Sequence, residues 1–159
     1  MRAVALILAV TFSKPVLADN TMIPTSAEND ALISCVLDAR LRGGAIEECS
    51  IQPFDQCLAE SSYDISSVAK EMCSVHLDQM WSSVNIFYAE KFFELHDENA
   101  DLVVESYLSL MEERYNSMRS RCFRFPNGWH FSIGACMLQS SIDDVKWTLS
   151  LIDEFEETQ

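Results

Sequence analysis

Apolar residues recur along this chain in alternating steps of three and four, the spacing that lines up one face of an α-helix. The run Leu108, Met111, Tyr115, Met118, Cys122, Phe125 is one such stripe, and Leu138, Ile142, Val145, Leu149, Ile152, Phe155 is another. Pro126-Asn127-Gly128 lies between them. Proline cannot continue a helix and Asn-Gly suits a turn, so the two stripes predict an antiparallel helical hairpin over 102–155. Upstream, Cys73, Leu77, Met80, Val84, Phe87 and then Lys91 or Phe92 form the longest stripe, with Trp81 and Tyr88 expected at its margin. Ser66 or Ser67 can cap this third helix, and Asp97-Glu98-Asn99 breaks its pattern. A first helix carries Leu32, Cys35, Val36 and Ala39. It starts at Thr25 or Ser26 with Glu28 nearby, and Gly43-Gly44 ends it. Pro53 suits the first turn of a short second helix, Pro53 to Glu60, followed by a loop at Ser61 to Asp64. The sequence has no internal repeat, no low-complexity tract and no useful strand-like alternation. Short connections between long helices point to an all-α fold, a small antiparallel bundle of about five helices. Its single domain is expected over 25–156, with the acidic residues from Glu154 onward frayed.

The N-terminus adds a compartment. Arg2, the apolar run Ala3 to Phe12 and the small residues of Val16-Leu17-Ala18 read as a secretory signal peptide over 1–18. The run is too short to span a bilayer. Residues 19–24 read as a disordered lead-in. No cysteine lies just after the cleavage point, so no membrane anchor is expected after processing, and the expected location is periplasmic or secreted.

Cys35, Cys49, Cys57, Cys73, Cys122 and Cys136 all follow the leader. An even count behind a signal peptide implies an oxidising compartment and up to three disulfides. Zinc is the competing use, but there is no Cys-x-x-Cys pair and no histidine at ligand spacing, so no metal is expected. Cys122 and Cys136 flank the hairpin turn and are expected to pair. The bond would close a loop of about 15 residues, contributing roughly 3 kcal/mol in the chain-entropy model. The pairing of Cys35, Cys49, Cys57 and Cys73 stays open, beyond tying the N-terminal helices to each other and to the third helix.

Charge and chemistry narrow the function classes. The chain has 11 Lys and Arg against 25 Asp and Glu, a formal charge of −14. Loss of Arg2 and Lys14 with the leader makes the mature chain more acidic still. This argues against nucleic acid and anionic membranes as partners and favours a cationic partner, or simply solubility. His76, His96 and His130 are far apart and expected at the surface or half-buried. There is no Gly-x-Ser-x-Gly elbow and no phosphate-cradling glycine loop. Glu112-Glu113 and Asp143-Asp144 are sequence neighbours that diverge on a helix, so neither is a ready acid–base pair. No catalytic residue and no cofactor is expected. Arg114, Arg119, Arg121 and Arg124 do cluster near the end of the fourth helix. They either complement the helix dipole and pair with carboxylates of the third and fifth helices, or form a recognition patch with Trp129 and Phe131. Arg119, Arg121, Trp129 and Trp81 are the candidate binding residues.

The order of these features resembles the lysozyme inhibitor LprI-like family, small exported helical domains. The matching marks are Cys35, Cys49 and Cys57, then Cys73 with Leu77-x-x-x-Trp81 and Tyr88. The Tyr115, Arg119, Cys122 stretch and the later Cys136 complete the pattern, which spans about Cys35 to Phe155. Where the family often shows Gln-Arg-x-Trp, this chain has Glu112-Glu113-Arg114-Tyr115. The resemblance implies an exported helical fold and a protein-binding function, with a cationic, lysozyme-like wall-degrading enzyme as the partner to inhibit. The alternative is a structural or interaction protein of the cell envelope with no lysozyme role. An enzyme with a site assembled from scattered residues is the third reading.

Overall fold

The computed structural model describes residues 23–61, 66–96, 100–123 and 133–157. The leader, most of the lead-in, Asp97-Glu98-Asn99, Phe125 and Pro126-Asn127-Gly128 lie outside the described residues. The elements are α1 (Ser26–Leu41), a 3-10 helix (Ile46–Ser50), α2 (Ile51–Glu60), α3 (Ser66–Glu94), α4 (Ala100–Phe123) and α5 (Ile133–Glu157). No strand occurs among the described residues, and the fold is all-α.

Local chemistry explains where these helices start and stop. Thr25 is the N-cap of α1: its hydroxyl accepts from Glu28 N–H at 3.2 Å, and the Glu28 carboxylate accepts from Thr25 N–H at 2.7 Å. This reciprocal pair satisfies two of the donors that a helix start leaves free. Gly43 follows α1 at φ +65°, and Gly44 N–H then bonds Ala39 O at 2.8 Å. A side chain at position 43 would be strained there. α2 starts at Ile51, two residues earlier than Pro53 suggested, because it grows directly out of the 3-10 helix. Pro53 is still in the first turn, where its missing N–H has no intrahelical partner to lose.

α3 is the axis of the molecule. It packs most extensively on α5, and also on α1 and α2, with α4 touching it least. Surrounded in this way, it buries more than one face. Cys73, Leu77, Met80 and Val84 of the expected stripe are buried, and so are His76, Trp81, Tyr88 and Ala89. Trp81 and Tyr88 therefore belong to the interior rather than the margin. Trp81 is fully buried, and its indole N–H donates to Ser50 Oγ at 2.9 Å, so the burial leaves no orphan donor.

α5 presents the expected face. Ile142, Val145, Leu149 and Ile152 are buried, and Leu138 and Phe155 are half-buried. The helix continues to Glu157 instead of fraying at Glu154, since Phe155 packs on the His96 ring with centroids 4.2 Å apart.

α4 differs from its sequence reading. Leu108 and Tyr115 are 57% and 53% exposed, while Tyr107 and Met118 are buried and Met111 and Arg114 half-buried. The helix is turned so that polar contacts face α5. Tyr107 Oη lies 2.9 Å from Thr148 Oγ1, and Arg114 bonds Asp144 at 2.6 Å while lying over the Trp147 ring.

Three disulfides brace the bundle: Cys35–Cys49 joins α1 to the 3-10 helix, Cys57–Cys73 joins α2 to α3, and Cys122–Cys136 joins α4 to α5. Such bonds form and persist in oxidising compartments. Among the described residues no helix is long and apolar enough to cross a membrane.

Candidate functional site

α2 has ten residues and none of them is buried. A short helix with so little core of its own needs covalent support, and it has it at both sides. Cys49, just ahead of it, is tied to α1, and Cys57 within it is tied to α3. The result is a cleft of about 290 Å³ with α1 and α3 as two walls and the 3-10 helix and α2 as the third. Leu32, Met72, Met80, Pro53 and both disulfides give it an apolar lining. Glu28, Glu48 and Glu60 line it as well, together with Gln52, Gln56 and His76. Among the described residues no lysine or arginine lines it. A small concave site with an apolar floor and a few convergent polar groups is the usual form of a ligand pocket.

The polar groups differ in how far they are already engaged. Glu28 bonds Thr25, and its Oε1 lies 3.2 Å from His76 Nε2. Burial pushes the Glu28 carboxyl up, but the hydrogen bonds from Thr25 and His76 outweigh it, and the net shift is downward. Glu28 is thus held as a carboxylate. Glu60 accepts from Gln56 Nε2 at 2.9 Å. Glu48 is exposed on the cleft wall. His76 is only 7% exposed, and its Nδ1 is buried with no hydrogen-bond partner among the described residues. The sequence reading placed His76 at or near the surface. It is buried because α1 closes over this part of α3, with Glu28 held against the ring.

A second polar cluster lies between α3, α4 and α5. Thr148 donates to Asn85 Oδ1 at 2.8 Å, so its single proton is used and Tyr107 donates to it. Ser141 donates to Asp78 at 2.6 Å. Burial pushes both Asp78 and Asp144 up; Arg114 opposes this at Asp144, and Ser141 opposes it at Asp78. These groups satisfy one another across packed helices, and Tyr107 also lines a second, more apolar cleft of about 290 Å³ with Leu102, Leu110 and Trp147.

Of the candidate binding residues, Trp81 and Arg121 have described side chains, one on α3 and the other on α4. Trp81 is interior and unavailable to a partner, because α3 is enclosed on several sides at that level. Arg121 is exposed on α4. The Arg119 side chain, Arg124, Trp129, His130 and Phe131 lie outside the described residues. Arg114 takes the structural role, as an ion pair to a carboxylate of α5. The cleft was missed because its members come from four separate stretches. Two traces of it are nonetheless in the sequence. Met72, His76 and Met80 fall at i, i+4, i+8, and so do Gln52, Gln56 and Glu60, which puts each trio on one helix face. No protein-family model, no curated protein and no solved structure matches this chain.

Proposed function

We propose that this chain is an exported, non-catalytic binding module for a cationic protein, and that the cleft between α1, α2 and α3 is where it engages that partner. The observation that carries the reading is the lining itself: Glu28, Glu48 and Glu60 border an apolar floor, with no lysine or arginine among the described lining residues. A chain of net charge −14 adds a long-range field of the same sign. That field speeds encounter with a basic partner and makes association salt-sensitive. The LprI-like resemblance supplies the class of partner, a basic wall-degrading enzyme of the lysozyme type. Inhibition would come from occlusion of the enzyme's cleft. The periplasm or the extracellular medium is the setting, in keeping with the three disulfides and the leader-like N-terminus.

A lysozyme activity assay on bacterial cell walls, with oxidised protein, tests this. Inhibition at micromolar protein and low salt, weakening as salt rises, is the expected result. Full lysozyme activity under those conditions would remove the inhibitor reading. A second reading draws on another surface. Leu102, Leu108, Leu110 and Tyr115 leave much of α4 apolar and exposed, which suits a structural or interaction component of the cell envelope with no lysozyme role.

A further inference from the structure

We infer that the second cleft, beside α4, docks the apolar face of a short cationic amphipathic helix from a partner polypeptide. This goes beyond the engagement proposed at the α1–α2–α3 cleft and uses a different surface. The second cleft lies between α4, α5 and the end of α3 and holds about 290 Å³. Its floor is aromatic: Phe92 and Tyr107 are buried and Trp147 is half-buried. Its outer edge is Leu102 and Leu110 of α4, 66% and 47% exposed. These leucines and Ser106 between them fall at i, i+4, i+8, so the edge runs along one face of α4 for about 12 Å. Roughly the same span separates the i and i+7 anchors of a helix laid in a groove. The polar atoms of the lining are largely committed. Tyr107 donates to Thr148, and His96 Nδ1 lies 2.9 Å from Phe92 O with its ring packed on those of Phe92 and Phe155. A small polar ligand would find few groups to orient it, whereas the apolar side chains of a helix need none.

Charge selects the kind of helix. Glu105 lies three residues from Leu102, Glu113 three from Leu110, and Glu154 three from Leu151, which lines the cleft from α5. That spacing puts each carboxylate beside a lining residue on the same side of its helix. All three are exposed, and none forms an ion pair among the described residues. The basic groups of the same helices are already used: Lys91 by Glu94, Arg114 by Asp144 and Lys146 by Glu47. An apolar groove edged by unpaired carboxylates suits a helix with leucine-like residues on one face and lysine or arginine flanking them. A second copy of this chain would bring the same acidic edge and a net charge of −14, and anionic lipid would bring phosphates. Like-charge repulsion disfavours both.

The test is calorimetric titration of the purified, oxidised protein with three synthetic peptides. One has leucines at i, i+3, i+4 and i+7 and lysines elsewhere. The second has glutamates in place of the lysines, and the third has the same leucines and lysines reordered so that no apolar face remains. Saturable one-to-one binding of the first is expected, at least about tenfold tighter than the other two and weaker as salt rises. Leu102→Gln and Leu110→Gln replace exposed side chains by one of similar helix propensity. Each should weaken the lysine peptide several-fold while the thermal midpoint stays at the parent value. Glu48→Gln, on the α1–α2–α3 cleft, should leave the affinity unchanged. No saturable binding, or equal binding of the ordered and reordered lysine peptides, overturns the inference. So does binding that Glu48→Gln weakens and the leucine variants do not, which places the peptide in the other cleft. A parent dimer in sedimentation that Leu102→Gln dissociates overturns it as well, since a second copy then covers this face. Lysozyme inhibition is read separately, and the leucine variants should leave it unchanged.

Discussion

Single residues carry the clearest electrostatic consequences. Asp78 is buried on α3, accepts from Ser141 and has the Asp144 charge in range. Burial first, and Asp144 with it, push its carboxyl above the ordinary 3.8, against the pull of the Ser141 hydrogen bond. The folded chain therefore holds this proton to higher pH than the unfolded chain does. The stability this contributes is fully present below the unfolded value and is lost as pH rises through the folded one. Asparagine keeps the acceptor for Ser141 and never ionises. Asp78→Asn should therefore raise the thermal midpoint at pH 7 and match the parent near about pH 3, where both side chains are neutral. Equal destabilisation at both pH values would contradict this. Glu28 has the opposite sign. Its carboxyl is held down, so its contribution is present above the unfolded value and lost as pH falls through the folded one.

At the scale of helices, the fit of α5 on α3 is set at Gly134. A Cβ there would sit 2.8 Å from Glu71 O and 3.0 Å from Ser74 Cβ, so the two backbones approach as closely as they do only because the side chain is absent. In an open helix, Gly→Ala gains up to about 1 kcal/mol from propensity. Here a backbone carbonyl blocks the methyl, and overpacking costs about 1–3 kcal/mol. Gly134→Ala should therefore lower stability in urea unfolding, and a gain would mean the helices can part freely. The α5 stripe was legible because every step on it is apolar and the helix has one dominant neighbour. α4 was not, for a reason its residues make plain. Leu108, Met111, Tyr115, Met118 and Tyr107, Met111, Arg114, Met118 are two tracks sharing two positions and differing by about a residue of rotation. Apolar periodicity favours the first. The helix adopts the second because Tyr107 meets Thr148 and Arg114 meets Asp144, and these polar contacts carry no weight in a hydrophobic pattern. Trp81 was misplaced for a related reason, since a stripe assumes one buried face and α3 has several.

The whole molecule is a central helix, α3, enclosed by the others and stapled at three points. The hairpin staple Cys122–Cys136 follows from the turn between two stripes, and the structure has it. The other two pairings were open on the sequence, because four cysteines in short N-terminal pieces have no single preferred partner until the pieces are packed. Those two decide the function proposed here. Cys35–Cys49 and Cys57–Cys73 hold a helix with no buried residue over the cleft that Glu28, Glu48, Glu60 and His76 line. With any other pairing, α2 would be fastened elsewhere and the cleft would not form. Peptide mapping of the unreduced, purified protein by mass spectrometry tests this most directly. The account predicts three cross-links, Cys35 to Cys49, Cys57 to Cys73 and Cys122 to Cys136, and no free thiol. A cross-link between Cys35 or Cys49 and Cys57 or Cys73, or free thiols at these positions, would contradict it.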